Sequence, residues 1–263
     1  MDVEWLSALA GATGVTGASI AGLAWRKTAA KRASLGRTRL KIEVSRDDSE
    51  PGPIWEVATD EILDREDFLD VYSLNEDGVI QPNRFLRETR RRWKAYDVGA
   101  TLLPLEVYNP LTVPVWIVGI EAEVEQRRNA PTGTRISNPP QGELGVLELS
   151  IDLDAADARG RAIDGTDYFA GAKREIAPGA REFIGVTGNC ANGAVSWRLR
   201  IRLLIGSQHA EQRFPAVQEP PLLTCGYGPT SQYERSWVCS LVVMACDDAA
   251  EPPHLHDARL DRV

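Results

Sequence analysis

The stretch GAVSWRLRIRLLI, residues 193–205, decides the fold class. Val195, Trp197, Leu199, Ile201, Leu203 and Ile205 take alternate positions, with Ser196, Arg198, Arg200 and Arg202 among the residues between them. A period of two places the first set on one face of a strand and the second on the other. The alternation recurs on both sides of this stretch. GVLELSIDL (145–153) sets Leu147, Leu149, Ile151 and Leu153 against Glu148, Ser150 and Asp152. ATLLPLEVYN (100–109) aligns Leu103, Leu105 and Val107. After the turn-forming Asn109-Pro110, VPVWIVGIEAEV (113–124) reads as a long strand. Its uninterrupted alternation puts Trp116, Val118, Ile120, Ala122 and Val124 on one face, and Val115, Ile117, Glu121 and Glu123 on the other.

Shorter segments follow the same logic. RLKIEVS (39–45) aligns Leu40, Ile42 and Val44, and PIWEVAT (53–59) is a second short strand. SWVCSLVVMAC (236–246) is apolar on both faces, which suits a central or covered strand. Residues 127–143, rich in Arg, Asn, Pro, Thr and Gly, read as a loop or hairpin tip. Residues 60–96 break the pattern: Phe85, Leu86, Thr89, Trp93 and Tyr96 fit a helical stripe, and Asp60–Leu74 reads as a second short helix. The expected body is therefore a mainly β domain over 40–246, a sandwich with a short helical insertion at 60–96. A flexible tail is expected at 247–263.

LEVYNPLTVPVWIVGIEAEV (105–124), EIAPGAREFIGV (175–186) and SWRLRIRLLI (196–205) resemble bacterial immunoglobulin-like or fibronectin-III-like β-sandwich modules. In such modules a strand ends in Asn, turns, and returns as an apolar strand; a Pro-Gly turn then precedes another strand. The resemblance covers about 100–205 and implies a binding or structural role without catalytic residues. The inter-sheet disulfide pattern of immunoglobulin domains is missing, since no Cys lies in 100–189.

The chain has 263 residues and a net charge of -8, distributed unevenly. Residues 1–25 carry only Asp2 and Glu4, residues 26–42 carry seven bases and no acid, and the rest carries a balance of -13. An acidic body is a poor general nucleic-acid binder, because phosphate contact needs concentrated Lys and Arg. The uncharged segment Trp5–Trp25 would be about 30 Å long as a helix, one hydrocarbon thickness. A Trp stands at each end, and Arg26, Lys27, Lys31 and Arg32 follow at once. By the positive-inside rule this predicts a single-pass membrane helix over 1–25, a basic linker over 26–39, an outward N-terminus and a cytoplasmic body. Ala10, Gly14, Ala18 and Gly22 form a small-residue ridge suited to helix packing. The layout resembles single-pass bacterial membrane proteins carrying a β domain. The alternative is a soluble oligomer whose N-terminal helix packs on its neighbours.

The residues with reactive side chains form no recognisable catalytic constellation. Cys190, Cys225, Cys239 and Cys246 lack close CxxC spacing. In a cytoplasmic body they are expected to be reduced, with Cys239 and Cys246 packed as small hydrophobes. Cys190 with His209 is conceivable as a thiol–base pair, and His254 and His256 lie in the tail. Asp152, Asp154, Asp157, Asp164 and Asp167 read as loop acids rather than an ordered calcium loop. TRRRWK (89–94) reads as an exposed basic face pairing with the acidic stretch Asp60–Asp77, and GYGPTS (226–231) as a turn. No cofactor or metal is expected. The expected role is non-enzymatic binding of an unidentified protein partner or self-assembly, with an unrecognised hydrolase as a third option.

Overall fold

The computed structural model describes residues 41–43, 55–64, 66–67, 82–138, 149–162, 164–170, 173–240 and 245–248. The elements, in chain order, are β1 (Lys41–Glu43), β2 (Trp55–Thr59), α1 (Pro82–Trp93), β3 (Tyr96–Val98), β4 (Ala100–Tyr108) and β5 (Val115–Arg128). Next come β6 (Thr134–Asn138), β7 (Leu149–Asp152), β8 (Gly160–Arg161), β9 (Arg174–Ile176) and β10 (Arg181–Asn189). The last are β11 (Ala194–Ile205), β12 (Gln208–Phe214), β13 (Leu222–Cys225), β14 (Arg235–Ser240) and β15 (Ala245–Asp248). The fold is mainly β, in two sheets.

The first sheet has the order β1-β4-β10-β7-β8. The second runs β15-β14-β6-β2-β3-β13-β11-β5-β9, with β12 beside β11 on the same side as β13. The two sheets share one apolar core. Leu103, Leu105, Val107, Leu149, Ile151, Ile184 and Val186 come from the first sheet, and Val115, Ile117, Ile120, Ile176, Trp197, Leu199, Ile201 and Leu203 from the second. Trp197 is fully buried at its centre. The alternation read in β4, β7 and β11 thus predicts their inward faces correctly.

A corner joins β4 to β5. Asn109 is fully buried. Its amide nitrogen donates to the carbonyls of Val113, Ile176 and Ala177 at 3.0, 2.8 and 3.2 Å, and its side-chain oxygen accepts the Leu111 N–H at 3.0 Å. One side chain therefore fastens the β4–β5 turn to the Pro178-Gly179 turn that leads into β10.

Five expectations are corrected. The β5 face does not alternate uninterrupted: Arg202 pairs with Gly119 and Leu203 with Ile117, so Val118 is an extra residue in a bulge. Val115 and Ile117 therefore face the core before the bulge, and Ile120 after it. Residues 127–143 are not all loop, because β5 runs to Arg128 and Thr134–Asn138 forms β6 between β2 and β14. Residues 236–246 are not one strand: they contribute to two, with β14 antiparallel to β15. The second strand reaches Asp248, two residues into the segment expected as tail. Within the 60–96 insertion, α1 is helical and Glu66–Asp67 is helical inside the expected Asp60–Leu74 helix, but Asp60–Asp64 is bend and irregular chain, and Tyr96 belongs to β3. Among the described residues no helix is long and apolar enough to cross a membrane. The segment Trp5–Trp25, its ridge and the basic linker lie outside the described residues.

Candidate functional site

The outer face and free edge formed by β5, β11 and β12 carry the densest side-chain chemistry. Arg198, Arg200 and Arg202 alternate along β11 and meet glutamates of β5. Arg200 Nε lies 2.7 Å from Glu121 Oε1, and Arg202 Nε lies 3.6 Å from the same oxygen. On β12, Arg213 donates to Glu123 at 2.5 Å. That guanidinium holds the Glu123 carboxyl below its usual range. Pairs this exposed contribute ~0–1 kcal/mol each, so the ladder sets charge pattern more than stability.

Arg198 departs from the outward-exposed reading. It faces away from the apolar core yet is only 6% exposed. It bonds Glu125 at 2.5 Å and the carbonyls of Pro215, Ala216 and Glu219 at 3.1, 2.6 and 2.8 Å. It therefore pins the segment after β12 onto the sheet. Beside the Val118 bulge lies a shallow hollow of about 80 Å³ bordered by Gly119, Arg159, Gly160, Asp167, Phe169 and Arg202. It is polar and small.

The thiols are badly placed for nucleophilic chemistry. Cys190 is buried; its Sγ lies 3.3 Å from Asn192 O and 3.9 Å from Asp154 Oδ1. Burial, with the Asp154 charge adding to it, pushes the thiol up to about 11. Burial likewise pushes Cys225 up to about 12. His209 is exposed on β12 opposite Leu204, whereas Cys190 precedes the start of β11. Ten strand residues, roughly 33 Å, separate those ends, so the thiol–base pair is not assembled. Alkylation of the native protein at pH 8 is expected to be about a hundredfold slower at Cys190 and about a thousandfold slower at Cys225 than at a free thiol, because the thiolate fraction falls tenfold with each unit of pKa increase. Peptide mapping after iodoacetamide checks this. With folded pKa values above the unfolded one, the thiols withdraw stability as pH rises above about 9.

Cys239 is disulfide-bonded. This corrects the reading of Cys239 as a reduced, packed hydrophobe. Cys190 and Cys225 are free, and Cys246 stands directly opposite Cys239 in the β14/β15 register. The split of 236–246 into two strands creates that juxtaposition.

The loop acids are occupied locally. Asp154 accepts the N–H groups of Ala191 and Asn192 at 2.6 and 3.2 Å. Asp152 accepts from Asp154 N, Asp164 from Thr166, and Asp167 from Phe169 N. Asp157 pairs with Arg159 at 2.8 Å. Among the described residues no group of three His, Cys, Asp or Glu side chains could hold a metal.

The basic run closes α1. Arg91 and Arg92 pair with Glu88, and Arg90 pairs with Asp97. Asp60, expected as a partner of this run, pairs instead with Arg128 at 2.5 Å. GYGPTS holds irregular chain followed by one 3-10 turn, Thr230–Gln232.

Asp97 is the functional-looking residue that sequence reading missed. Its carboxylate is buried and accepts from Arg90 and, at 2.7 Å, from Thr101. Thr101 shares a 2.7 Å bond with Thr224, and Thr224 accepts the Trp197 indole N–H at 2.8 Å. The chain of bonds runs from α1 into the core and is fully satisfied, which marks it as structural. No short motif announces it, because its members come from α1, β3, β4, β11 and β13.

Compared with protein-family models, with curated proteins and with solved structures, the chain matches none.

Proposed function

We propose that this chain is a non-enzymatic, single-pass membrane protein whose immunoglobulin-like β module binds a protein partner. The observation that carries the reading is strand connectivity. The antiparallel set β1-β4-β10 corresponds to strands A, B and E of an immunoglobulin-type sandwich, and β5-β11-β12 to C, F and G. The edge strand β9 beside β5 takes the place of the additional C′ strand. Two features depart from the type: β7 runs parallel to β10, and the second sheet continues through β13, β3, β2, β6, β14 and β15. Such modules present faces and edges for binding, and here the reactive side chains serve turns, ion pairs and the core.

Anchoring is assigned to Trp5–Trp25, and the basic linker leads straight into β1. The full chain is expected to sediment with membranes, to resist extraction by high salt, and to be released by detergent. Deleting 1–25 should move it to the soluble fraction. A full chain that stays soluble without detergent sinks the anchor. Orientation has its own readout. The collar places the body in the cytoplasm, whereas the Cys239 disulfide favours an oxidising compartment. Alkylating lysates in denaturant separates the two: labelling of all four cysteines supports the cytoplasmic body. Labelling of only two puts the body on the oxidising side and reverses the assigned topology.

A further inference from the structure

The turn after β11 leaves β12 as an edge strand among the described residues. Gly206 has φ +62° and starts a two-residue loop, Gly206-Ser207, between the paired residues Ile205 and Gln208. That geometry suits a type II′ hairpin, in which the flanking pair is hydrogen-bonded and the bonded pairs then alternate. Gln208, Ala210, Gln212 and Phe214 accordingly bond back to β11. His209, Glu211 and Arg213 point their N–H and C=O groups away from it. Among the described residues β12 pairs with β11 alone, so this row of backbone groups has no second strand.

The charge pattern along the edge is specific. Register sets Arg200 directly opposite Arg213, a like-charge pair that disfavours the isolated ladder. Glu211 lies opposite Arg202. His209, Glu211 and Arg213 are all exposed. If two copies meet about a two-fold axis at Gln212, Arg213 of each faces Glu211 of the other. Both of these facing residues carry outward backbone groups, so they can exchange N–H···O bonds. The row across the joint sheet then reads Glu121, Arg200, Arg213, followed by Glu211 and Arg202 of the second copy. Within one copy Arg200 is held by Glu121 and Arg213 by Glu123, and the second copy's Glu211 adds a further carboxylate directly opposite Arg213. A two-fold axis at Glu211 instead sets carboxylate on carboxylate and His209 on Arg213.

We propose that the partner of this edge is a second copy of the same chain, joined antiparallel through β12 with the two-fold axis at Gln212. The inference deepens the binding-module reading and rests on it, but it does not depend on the membrane anchor.

The test uses the full chain in detergent. Gln212→Cys places two cysteines in a facing, non-hydrogen-bonded pair, with Cα atoms about 4.5 Å apart, within disulfide reach. Mild oxidation should give covalent dimer from this variant, and at least tenfold less from Glu211→Cys or from the exposed control Val217→Cys. Glu211→Pro removes an outward N–H without touching the bonds to β11, and should raise the dimer dissociation constant at least tenfold by sedimentation. Arg213→Glu should do the same, and adding Glu211→Arg should restore the dimer. The proposal is overturned if Gln212→Cys cross-links no better than the control, if Glu211→Cys cross-links best, or if Glu211→Pro leaves the dimer intact. A dimer that persists through all edge variants and disappears on deleting 1–25 assigns association to the N-terminal helix and also overturns it. Failure of the anchor shows separately, in the fractionation, and leaves the cross-linking result standing.

Discussion

Asn109→Ala is expected to lower the unfolding free energy by about 4 kcal/mol, from several lost bonds and the desolvated groups they leave behind. The side chain is fully buried and serves three carbonyls and one N–H. Only two amide hydrogens meet those three carbonyls, so one bond is shared. Alanine removes the side-chain partner of all four backbone groups at a largely buried corner, where the Ala177 carbonyl keeps a second partner, the Ala180 N–H. The corner also holds through backbone bonds, Asn109 N to Ala180 O at 3.0 Å and Gly179 N to Asn109 O at 2.8 Å. Those survive the substitution, so the fold should persist with a lower urea midpoint and an unchanged circular dichroism spectrum. Asn109→Asp should be worse than alanine at pH 7, because a carboxylate would face three carbonyl oxygens. Its deficit should shrink as acid protonates that carboxyl. Equal midpoints for wild type and Asn109→Ala would remove the side chain from its role as the corner's fastener.

The strands with regular alternation were legible, because one face of each meets a single apolar core. Leu103, Leu105 and Val107 in β4, and Val195 to Leu203 in β11, needed only a period of two. What escaped the sequence depends on partners far along the chain. The Val118 bulge exists because β5 must match β11 on both sides of an offset, and no residue of β5 states it alone. The polar strand TRISN carries one strong apolar residue, Ile136, and is a strand because β2 and β14 flank it. Arg198 reads as a solvated charge, and the Pro215–Glu219 carbonyls that bury it lie 17 to 21 residues on. The candidate site divides the same way. Its alternating arginines and glutamates were visible, whereas the β12 edge and the Arg200/Arg213 opposition require the register.

Trp197→Ala is expected to cost about 3–5 kcal/mol, the range for removing a large buried aromatic. The indole is the largest fully buried side chain among the described residues, and both sheets close on it. It also donates to Thr224, so alanine opens a cavity and takes one bond from the Thr101–Thr224 pair. A second substitution tests the packing from the opposite sheet. A Cβ added at Gly188 of β10 would lie 2.5 Å from Trp197 Cζ2 and 2.8 Å from Cη2, both in the six-membered ring of the indole. Gly188→Ala should therefore destabilise the wild type by ~1–3 kcal/mol through overpacking. Phenylalanine at 197 lacks the outer part of that ring system and the N–H. Trp197→Phe should be moderately destabilising alone, and should make Gly188→Ala nearly neutral when the two are combined. The double-mutant cycle then returns a favourable coupling of more than about 1 kcal/mol, the size expected for residues in direct contact. Strict additivity would mean that Gly188 is glycine for some reason other than the indole, and that the two sheets do not close on Trp197 as described.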